Sequence, residues 1–179
     1  MCVGLDPDPH RLTHHYSPDA DGIEYFCIDI IDATAEYACA FKPQIAYFAA
    51  ARAEAQLERI CAYIRANYPT IPIILDAKRG DIGDTATMYA REAFDRYGAH
   101  AVTVNPYMGG DTIEPYLVHP KGAAIVLCRT SNAGSGGAHV GSLSDFVAQF
   151  FAWLVNQDVE VSVGAYFKYF WRDLGARTG

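Results

Sequence analysis

The sequence predicts an α/β fold built from parallel βα units, and three observations support this class. Short apolar runs rich in β-branched residues alternate with longer stretches of helical periodicity. Most of these runs are apolar throughout, as expected for strands that are covered on both faces. With 179 residues, 51% of them hydrophobic, the chain is large enough to bury a substantial core.

Six strand candidates follow this pattern, and each is followed by a helix candidate. The strand candidates are Cys2–Leu5, Cys39–Lys42, Ile71–Asp76, Ala101–Val104, Ala124–Cys128 and Glu160–Val163. No linker or charge block interrupts the series, so residues 1–179 are predicted to form a single domain.

Apolar residues at three- and four-residue steps predict that the helices pack against the sheet. The first helix is expected to begin near Ser17 and Pro18, because a capping hydroxyl precedes a proline suited to the first turn. The predicted buried stripes are Ile23, Phe26, Cys27, Ile30, Ile31 and Thr34; Ala53, Leu57, Ile60, Cys61 and Ile64; and Ile82, Ala86, Tyr89, Ala93 and Tyr97.

Composition excludes several classes of partner. A formal net charge of -7 argues against a nucleic-acid surface, which needs clustered Lys and Arg. No apolar run approaches the roughly 18 residues that a membrane span requires. The five cysteines lack any CxxC spacing and lie mostly in apolar runs, which indicates buried reduced thiols and a cytoplasmic protein. Because the chain is acidic overall, an anionic substrate would need a local positive pocket.

Charged residues at strand ends mark the candidate site, because reactive groups in α/β barrels lie at the C-terminal ends of the strands. The first strand candidate leads into Asp6, and the second ends in Lys42. The third ends at Asp76 and is followed by Lys78 and Asp81. Ionisable groups from separate strands therefore converge on one rim.

The third strand candidate predicts a carboxylate, an ammonium and a second carboxylate in one pocket. Asp76 and Lys78 are two residues apart and so share one face of the pleat, and Gly80 allows the turn that brings Asp81 in. Neighbouring carboxylates favour a charged Lys78, which would act as an acid rather than as an amine nucleophile. A surface ion-pair cluster is the alternative for this motif alone.

The run from Ile73 to Thr85, IILDAKRGDIGDT, resembles the signature of the orotidine 5′-phosphate decarboxylase family. Four further segments resemble the bacterial branch of that family in the same order: VGLDPD at 3–8, AFKPQ at 40–44, TVNPYMG at 103–109 and LCRTSN at 127–132. The resemblance implies a TIM (β/α)8-type barrel that converts orotidine 5′-phosphate to UMP and CO2 in de novo pyrimidine synthesis. It also implies that no metal or organic cofactor takes part.

The resemblance assigns catalytic roles to four residues. It implies that Lys78 delivers the proton that replaces the lost carboxylate. Asp76 would lie beside the departing carboxylate, and Asp81 would complete the charge array. Lys42 would link this array to the ribose of the substrate.

The resemblance also implies substrate-binding residues and a homodimer. Asp6 and Thr85 match ribose-contacting positions, and Thr130 or Ser131 matches the hydroxyl that reads the pyrimidine edge. Asp81 and Thr85 would serve the site of the neighbouring subunit.

The chain departs from this family at its ends. Barrels of this type typically have eight strands in about 250 residues, whereas this chain shows six units and lacks the expected glycine-rich phosphate segment and its arginine. We therefore expect a chain truncated at both ends, with a barrel incomplete at the C-terminal end. Two alternatives stay open: a metal-dependent sugar-phosphate decarboxylase or aldol synthase of the same superfamily, and an inactive fragment or paralogue.

Overall fold

The computed structural model of the chain describes residues 1–127 and Thr130. These residues belong to the first of the two units into which the chain divides, Met1–Ser135 and Gly136–Gly179. The sixth strand candidate, Glu160–Val163, lies outside the described residues, as does Cys128. A single domain over the whole chain stays a prediction.

Five short strands form the centre of the described unit. They are β1 (Cys2–Leu5), β2 (Ala40–Pro43), β3 (Ile74–Arg79), β4 (Ala101–Val104) and β5 (Ala123–Val126). The pairs β1–β2, β3–β4 and β4–β5 are all parallel. Two parallel bridges, Phe41 with Ile73 and Gln44 with Asp76, connect β2 to β3. The strands therefore follow chain order, as the α/β barrel prediction requires.

Helices follow the strands and cover them. They are α1 (Ala20–Thr34), α2 (Ile45–Ala50), α3 (Glu54–Asn67), α4 (Gly83–Arg91) and α5 (Glu114–Leu117). A π-helical turn, Glu92–Arg96, continues α4. Short 3-10 turns lie at Pro9–Arg11, Ala35–Tyr37 and Gly110–Thr112. Within the described range, no helix has both the length and the apolar character to cross a membrane.

The core lies between the strands and the helices. The predicted stripe of α3 is confirmed, since Leu57, Ile60, Cys61 and Ile64 are fully buried. On the strands, Phe41, Ile73, Leu75 and Val102 are also fully buried. Burial of each large apolar side chain contributes about 1.5–3 kcal/mol, so this layer holds the strand ends that carry the charged residues in place.

Several element boundaries differ from the prediction: β2 is shifted by one residue, β5 begins at Ala123, and the starts of α1 and β3 differ more. Helix α1 begins at Ala20, because Asp19 rather than Ser17 is the N-cap: the Asp19 carboxylate accepts from Gly22 N–H, and the Ser17 hydroxyl donates to it. Strand β3 begins three residues later than predicted and continues to Arg79. The charged run 76–79 is therefore part of the strand and does not follow it.

Two burial predictions were also wrong in part. Ile82 was assigned to a buried stripe, but it is 59% exposed because it precedes α4 as the N-cap residue. Among the described cysteines, all four are free; Cys27 and Cys61 are buried as expected, whereas Cys2 and Cys39 are exposed.

Candidate active site

The candidate site lies where the first four strands end. Lys42 is near the end of β2, Asp76 lies in β3, and Thr103 is the penultimate residue of β4. Asp6 directly follows β1. Because parallel strands direct their C-terminal ends to the same edge, these four side chains come from separate strands to one rim.

Asp76 is the centre of the site. Its Oδ2 accepts a hydrogen bond from Lys42 Nζ at 2.7 Å, and its Oδ1 accepts one from Lys78 Nζ at 2.6 Å. The hydroxyl of Thr103 donates to the same Oδ1 at 2.9 Å. The residue is only 6% exposed. A buried carboxylate is thus held by two ammonium groups and one hydroxyl, which compensates its desolvation.

The order of charges differs from the sequence expectation. The motif predicted an ammonium between two carboxylates, whereas the structure places one carboxylate between the ammonium groups of Lys42 and Lys78. Asp81 makes no ion pair with the described residues; its carboxylate accepts from the backbone N–H of Ile82 at 2.8 Å. The described chain alone therefore leaves the predicted role of Asp81 untested.

Two pKa values are shifted within this cluster. Burial alone would raise the pKa of Asp76, but hydrogen bonds from Lys42, Lys78 and Thr103 outweigh it, and the pKa lies below the ordinary value of 3.8. Burial alone would lower the pKa of Lys42, but its hydrogen bond to Asp76 and the charges of Asp76 and Asp6 raise it above 10.5. Asp76 and Lys42 are therefore both charged at neutral pH.

The backbone that carries Lys78 is irregular. The register of β3 against β4 shifts between Leu75 and Arg79, and Lys78 has a φ of 48°. The Arg79 guanidinium donates to both carboxylate oxygens of Glu92 and lies 4.5 Å from the ring centroid of Tyr89. Arg79 thereby anchors the strand to the helical layer, away from Asp76.

Thr103 is the site residue that the sequence analysis missed. It accepts hydrogen bonds from Ala77 N–H and Lys78 N–H, both at 3.0 Å, in addition to its donation to Asp76. The available signal was a hydroxyl in the otherwise apolar strand Ala-Val-Thr-Val. That signal was weak, because threonine is a common strand residue.

Three of the other predicted binding residues, Asp6, Thr85 and Thr130, lie in the part of the chain that the structure describes. Asp6 is exposed, and its charge contributes to the raised pKa of Lys42. Thr85 is exposed in the first turn of α4, and Thr130 is exposed. Ser131 lies outside the described residues. In residues 1–127 with Thr130, no three His, Cys, Asp or Glu side chains are grouped closely enough to hold a metal ion.

Comparisons with known proteins identify relatives of this chain. A protein named orotidine 5′-phosphate decarboxylase from Janthinobacterium sp. (strain Marseille) is 58% identical over 93% of this chain and 64% of its own length. One of the same name from Bordetella petrii is 66% identical over 75% of this chain and 49% of its own length. The chain thus spans about half to just under two thirds of the length of these relatives.

Solved structures and a family model lead to the same assignment. The Leishmania donovani OMP decarboxylase structure matches 88% of this chain and 62% of its own with a TM-score of 0.72 and 42% identity. The family model described as orotidine 5′-phosphate decarboxylase / HUMPS family matches residues 1–145. The strand order, the charged rim and these matches together show that the chain belongs to the orotidine 5′-phosphate decarboxylase / HUMPS family.

Proposed function

We propose that this chain carries the catalytic half of a cofactor-free decarboxylase that converts orotidine 5′-phosphate to UMP and CO2. The observation that supports this most strongly is the buried Asp76 carboxylate held between the ammonium groups of Lys42 and Lys78. The relatives of 58% and 66% identity carry the name of this activity. No finding favours a metal-dependent sugar-phosphate enzyme.

Lys78 has the chemistry that the reaction needs. When the bond to the carboxylate carbon breaks, CO2 leaves and the electron pair stays on the pyrimidine carbon. A fixed ammonium aimed at that carbon stabilises the developing negative charge and then transfers a proton to it. Lys78 is left as a neutral amine, which takes up a proton from solvent before the next turnover. The 2.6 Å hydrogen bond to Asp76 keeps the Lys78 ammonium in place before substrate enters.

Asp76 would lie beside the substrate carboxylate and would keep the two lysines oriented. Repulsion between the two carboxylates would favour departure of CO2, which is a form of ground-state destabilisation. Lys42 would connect the cluster to the ribose, with Asp6 and Thr85 as further ribose contacts. Thr130 or Ser131 would read the pyrimidine edge.

We also propose that the protein forms a homodimer in which Asp81 and Thr85 act in the neighbouring subunit's site. Thr85 lies on the first turn of α4, and the same region exposes two large apolar side chains, Ile82 at 59% and Met88 at 58%. Apolar exposure of this kind is common at association surfaces. The hydrogen bond of Asp81 to Ile82 N–H also leaves its second carboxylate oxygen available to a partner.

A cytoplasmic location completes the proposal. Burial raises the pKa of the Cys27 and Cys61 thiols to about 12, so both stay protonated thiols at neutral pH. Free buried thiols are typical of proteins in reducing compartments. Cell fractionation with an antibody against the chain tests this; recovery in a membrane or secreted fraction would contradict it.

The proposed activity is tested by incubating the chain with orotidine 5′-phosphate and separating the products by chromatography. We expect UMP and CO2 in equal amounts, at a rate that a metal chelator does not change. No UMP would contradict the activity for this chain. Loss of the rate with chelator, restored by a divalent cation, would favour the metal-dependent alternative.

A further inference from the structure

The backbone at Lys78 adopts a conformation that L-residues rarely adopt. Its φ of 48° lies in the left-handed region, which costs a non-glycine residue roughly 1–2 kcal/mol. Such a conformation persists only where the surrounding structure holds it. The register shift of β3 leaves the N–H groups of Ala77 and Lys78 without strand partners, because the ladder to β4 resumes only at Arg79.

Thr103 supplies the partner for both of these N–H groups. Its Oγ1 accepts from Ala77 N–H and from Lys78 N–H, each at 3.0 Å. The same hydroxyl donates to Asp76 Oδ1 at 2.9 Å. A hydroxyl has one proton and two lone pairs, so the capacity of Thr103 is used in full. With both lone pairs occupied by N–H donors, the proton must point at the Asp76 carboxylate.

This arrangement couples the backbone of Lys78 to the carboxylate that its own side chain binds. The Lys78 ammonium donates to Asp76 Oδ1, the same oxygen that accepts from Thr103. Thr103 itself is 8% exposed, and the flanking Val102 and Val104 are buried. A buried hydroxyl in an apolar strand is costly unless it is hydrogen-bonded, and here each of its bonds ends on the segment 76–78.

We propose that Thr103 is a positioning residue: its hydroxyl holds the bulged backbone at Lys78 and the Asp76 carboxylate in the arrangement that meets the substrate. The inference rests on the proposed decarboxylase function. Thr103 would not touch the substrate. It acts through Lys78 and Asp76, so its loss affects the chemical step more than substrate binding.

The test compares Thr103→Val, which keeps the shape, with Thr103→Ser, which keeps the hydroxyl. Loss of a hydrogen bond to a charged group corresponds to a rate reduction of about 10- to 100-fold. For Thr103→Val we expect kcat to fall by this factor while KM changes less than about threefold. For Thr103→Ser we expect kcat to return almost to the wild-type value. The matched control is Thr112→Val, since Thr112 is buried and, among the described residues, its hydroxyl donates only to Gly109 O, at 2.7 Å.

Carboxyl-carbon NMR titration of Asp76 gives a readout that a purely structural role would not change. Lys42, Lys78 and Thr103 are the hydrogen-bond donors to this carboxylate. Removal of the Thr103 hydroxyl is expected to raise the pKa of Asp76, whereas the serine variant and Thr112→Val leave it unchanged. An unchanged Asp76 titration in Thr103→Val, or an equal rise in Thr112→Val, would overturn the proposal. So would a Thr103→Ser variant as slow as Thr103→Val.

Hydrogen exchange in the unmodified chain keeps the proposal testable even if Thr103→Val does not fold. The amides of Ala77 and Lys78 are expected to exchange as slowly as the hydrogen-bonded amides of β3, and fast exchange at both would overturn the proposal. These NMR measurements need no turnover. If the chain fails to decarboxylate orotidine 5′-phosphate, the proposed function fails, while Asp76 titration and amide exchange still decide the role of Thr103.

Discussion

Asp76 shows how a single residue can organise charge in an acidic protein. The chain has a formal net charge of -7, yet two ammonium groups meet at this carboxylate. Asp76 is almost fully buried, whereas the side chains of Lys42 and Lys78 are 31% and 45% exposed. The carboxylate is therefore the buried part of the cluster, and the two ammonium groups are its solvent-accessible part.

Replacement of Asp76 by Asn should destabilise the chain in a pH-dependent way. The folded state lowers the pKa of Asp76, so its ionised form contributes stability above its ordinary pKa of 3.8, and this is lost as pH falls through the lower folded value. At pH 7 we expect Asp76→Asn to reduce the free energy of unfolding by about 1–3 kcal/mol. Urea unfolding at pH 7, 5 and 3 is the measurement.

The expected pattern is a constant difference between the wild type and Asp76→Asn from pH 7 to 5 and a smaller one at pH 3. Lys42 does not change the expected result between pH 3 and pH 7. Its pKa is raised above 10.5 in the folded state, so its protonated form stabilises the fold below pH 10.5, and this stabilisation is lost only as pH rises through the folded pKa. Asp111→Asn is the control, because Asp111 is exposed and makes no ion pair with the described residues. A difference that grows as pH falls would contradict the account.

Within β3, the register shift and the positive φ of Lys78 lead to a prediction that depends on the backbone and not on the ammonium group. Lys78→Ala and Lys78→Gly both delete the ammonium, but only glycine tolerates a φ of 48° without strain. We expect Lys78→Gly to be more stable than Lys78→Ala by about 0.5–1 kcal/mol. Arg52 is exposed and has a φ of 54°, so Arg52→Ala and Arg52→Gly form a matched pair outside the site, in which glycine should again be the more stable variant. A less stable Lys78→Gly would show that the strand is regular at this residue.

The beginning of α1 gives a second prediction at this scale. Gly22 is buried in the first turn, and a Cβ there would overlap the backbone carbonyl of Ser17. Helix propensity alone favours alanine by about 1 kcal/mol, but the overlap should reverse the sign, so Gly22→Ala loses about 1–3 kcal/mol in thermal or urea unfolding. Ala33 is exposed in α1, so Ala33→Gly measures the effect of helix propensity on the free energy of unfolding without any overlap. A stabilised Gly22→Ala would contradict the packing described for this turn.

Element positions could be predicted where local pattern and tertiary structure agree. The bounds of β1 and β4 match the prediction residue for residue, because both are short apolar runs with clear breaks. The bounds of β3 do not match, since its bulge lets the strand continue through Asp76, Lys78 and Arg79. The cap of α1 was misassigned because serine and aspartate are similar N-cap residues, and only the three-dimensional turn selects Asp19.

For the molecule as a whole, strand order explains why the convergence of Lys42 and Asp76 could be predicted. Parallel strands in chain order bring Lys42 and Asp76 to the same edge, so charged strand ends were a sound guide. Thr103 was missed because its importance comes from a register shift that no spacing rule reveals. Asp81 was expected in the cluster, but among the described residues its carboxylate accepts only from Ile82 N–H, so its proposed role depends on a second subunit.

The proposed dimer predicts complementation between two inactive variants. Lys78→Ala and Asp81→Ala should each be inactive alone. If each site takes Lys78 from one subunit and Asp81 from the other, a mixed dimer has one intact site, and equal mixing restores about a quarter of wild-type activity. The measurement is UMP formation after unfolding and refolding the two variants together. No recovery, with a mixed dimer shown by mass spectrometry, would place Lys78 and Asp81 in the same subunit's site.

In the proposed decarboxylation of orotidine 5′-phosphate, Lys78, held by Asp76, is the proton donor. The most direct measurement is kcat/KM for this substrate in the chain and in its Lys78→Ala variant, with Arg52→Ala as a control that removes an exposed cation outside the site. Loss of charge stabilisation and of the proton donor together predicts a decrease of at least about 1,000-fold for Lys78→Ala and no change for Arg52→Ala. Equal rates for the chain and its Lys78→Ala variant would show that Lys78 is not the proton donor.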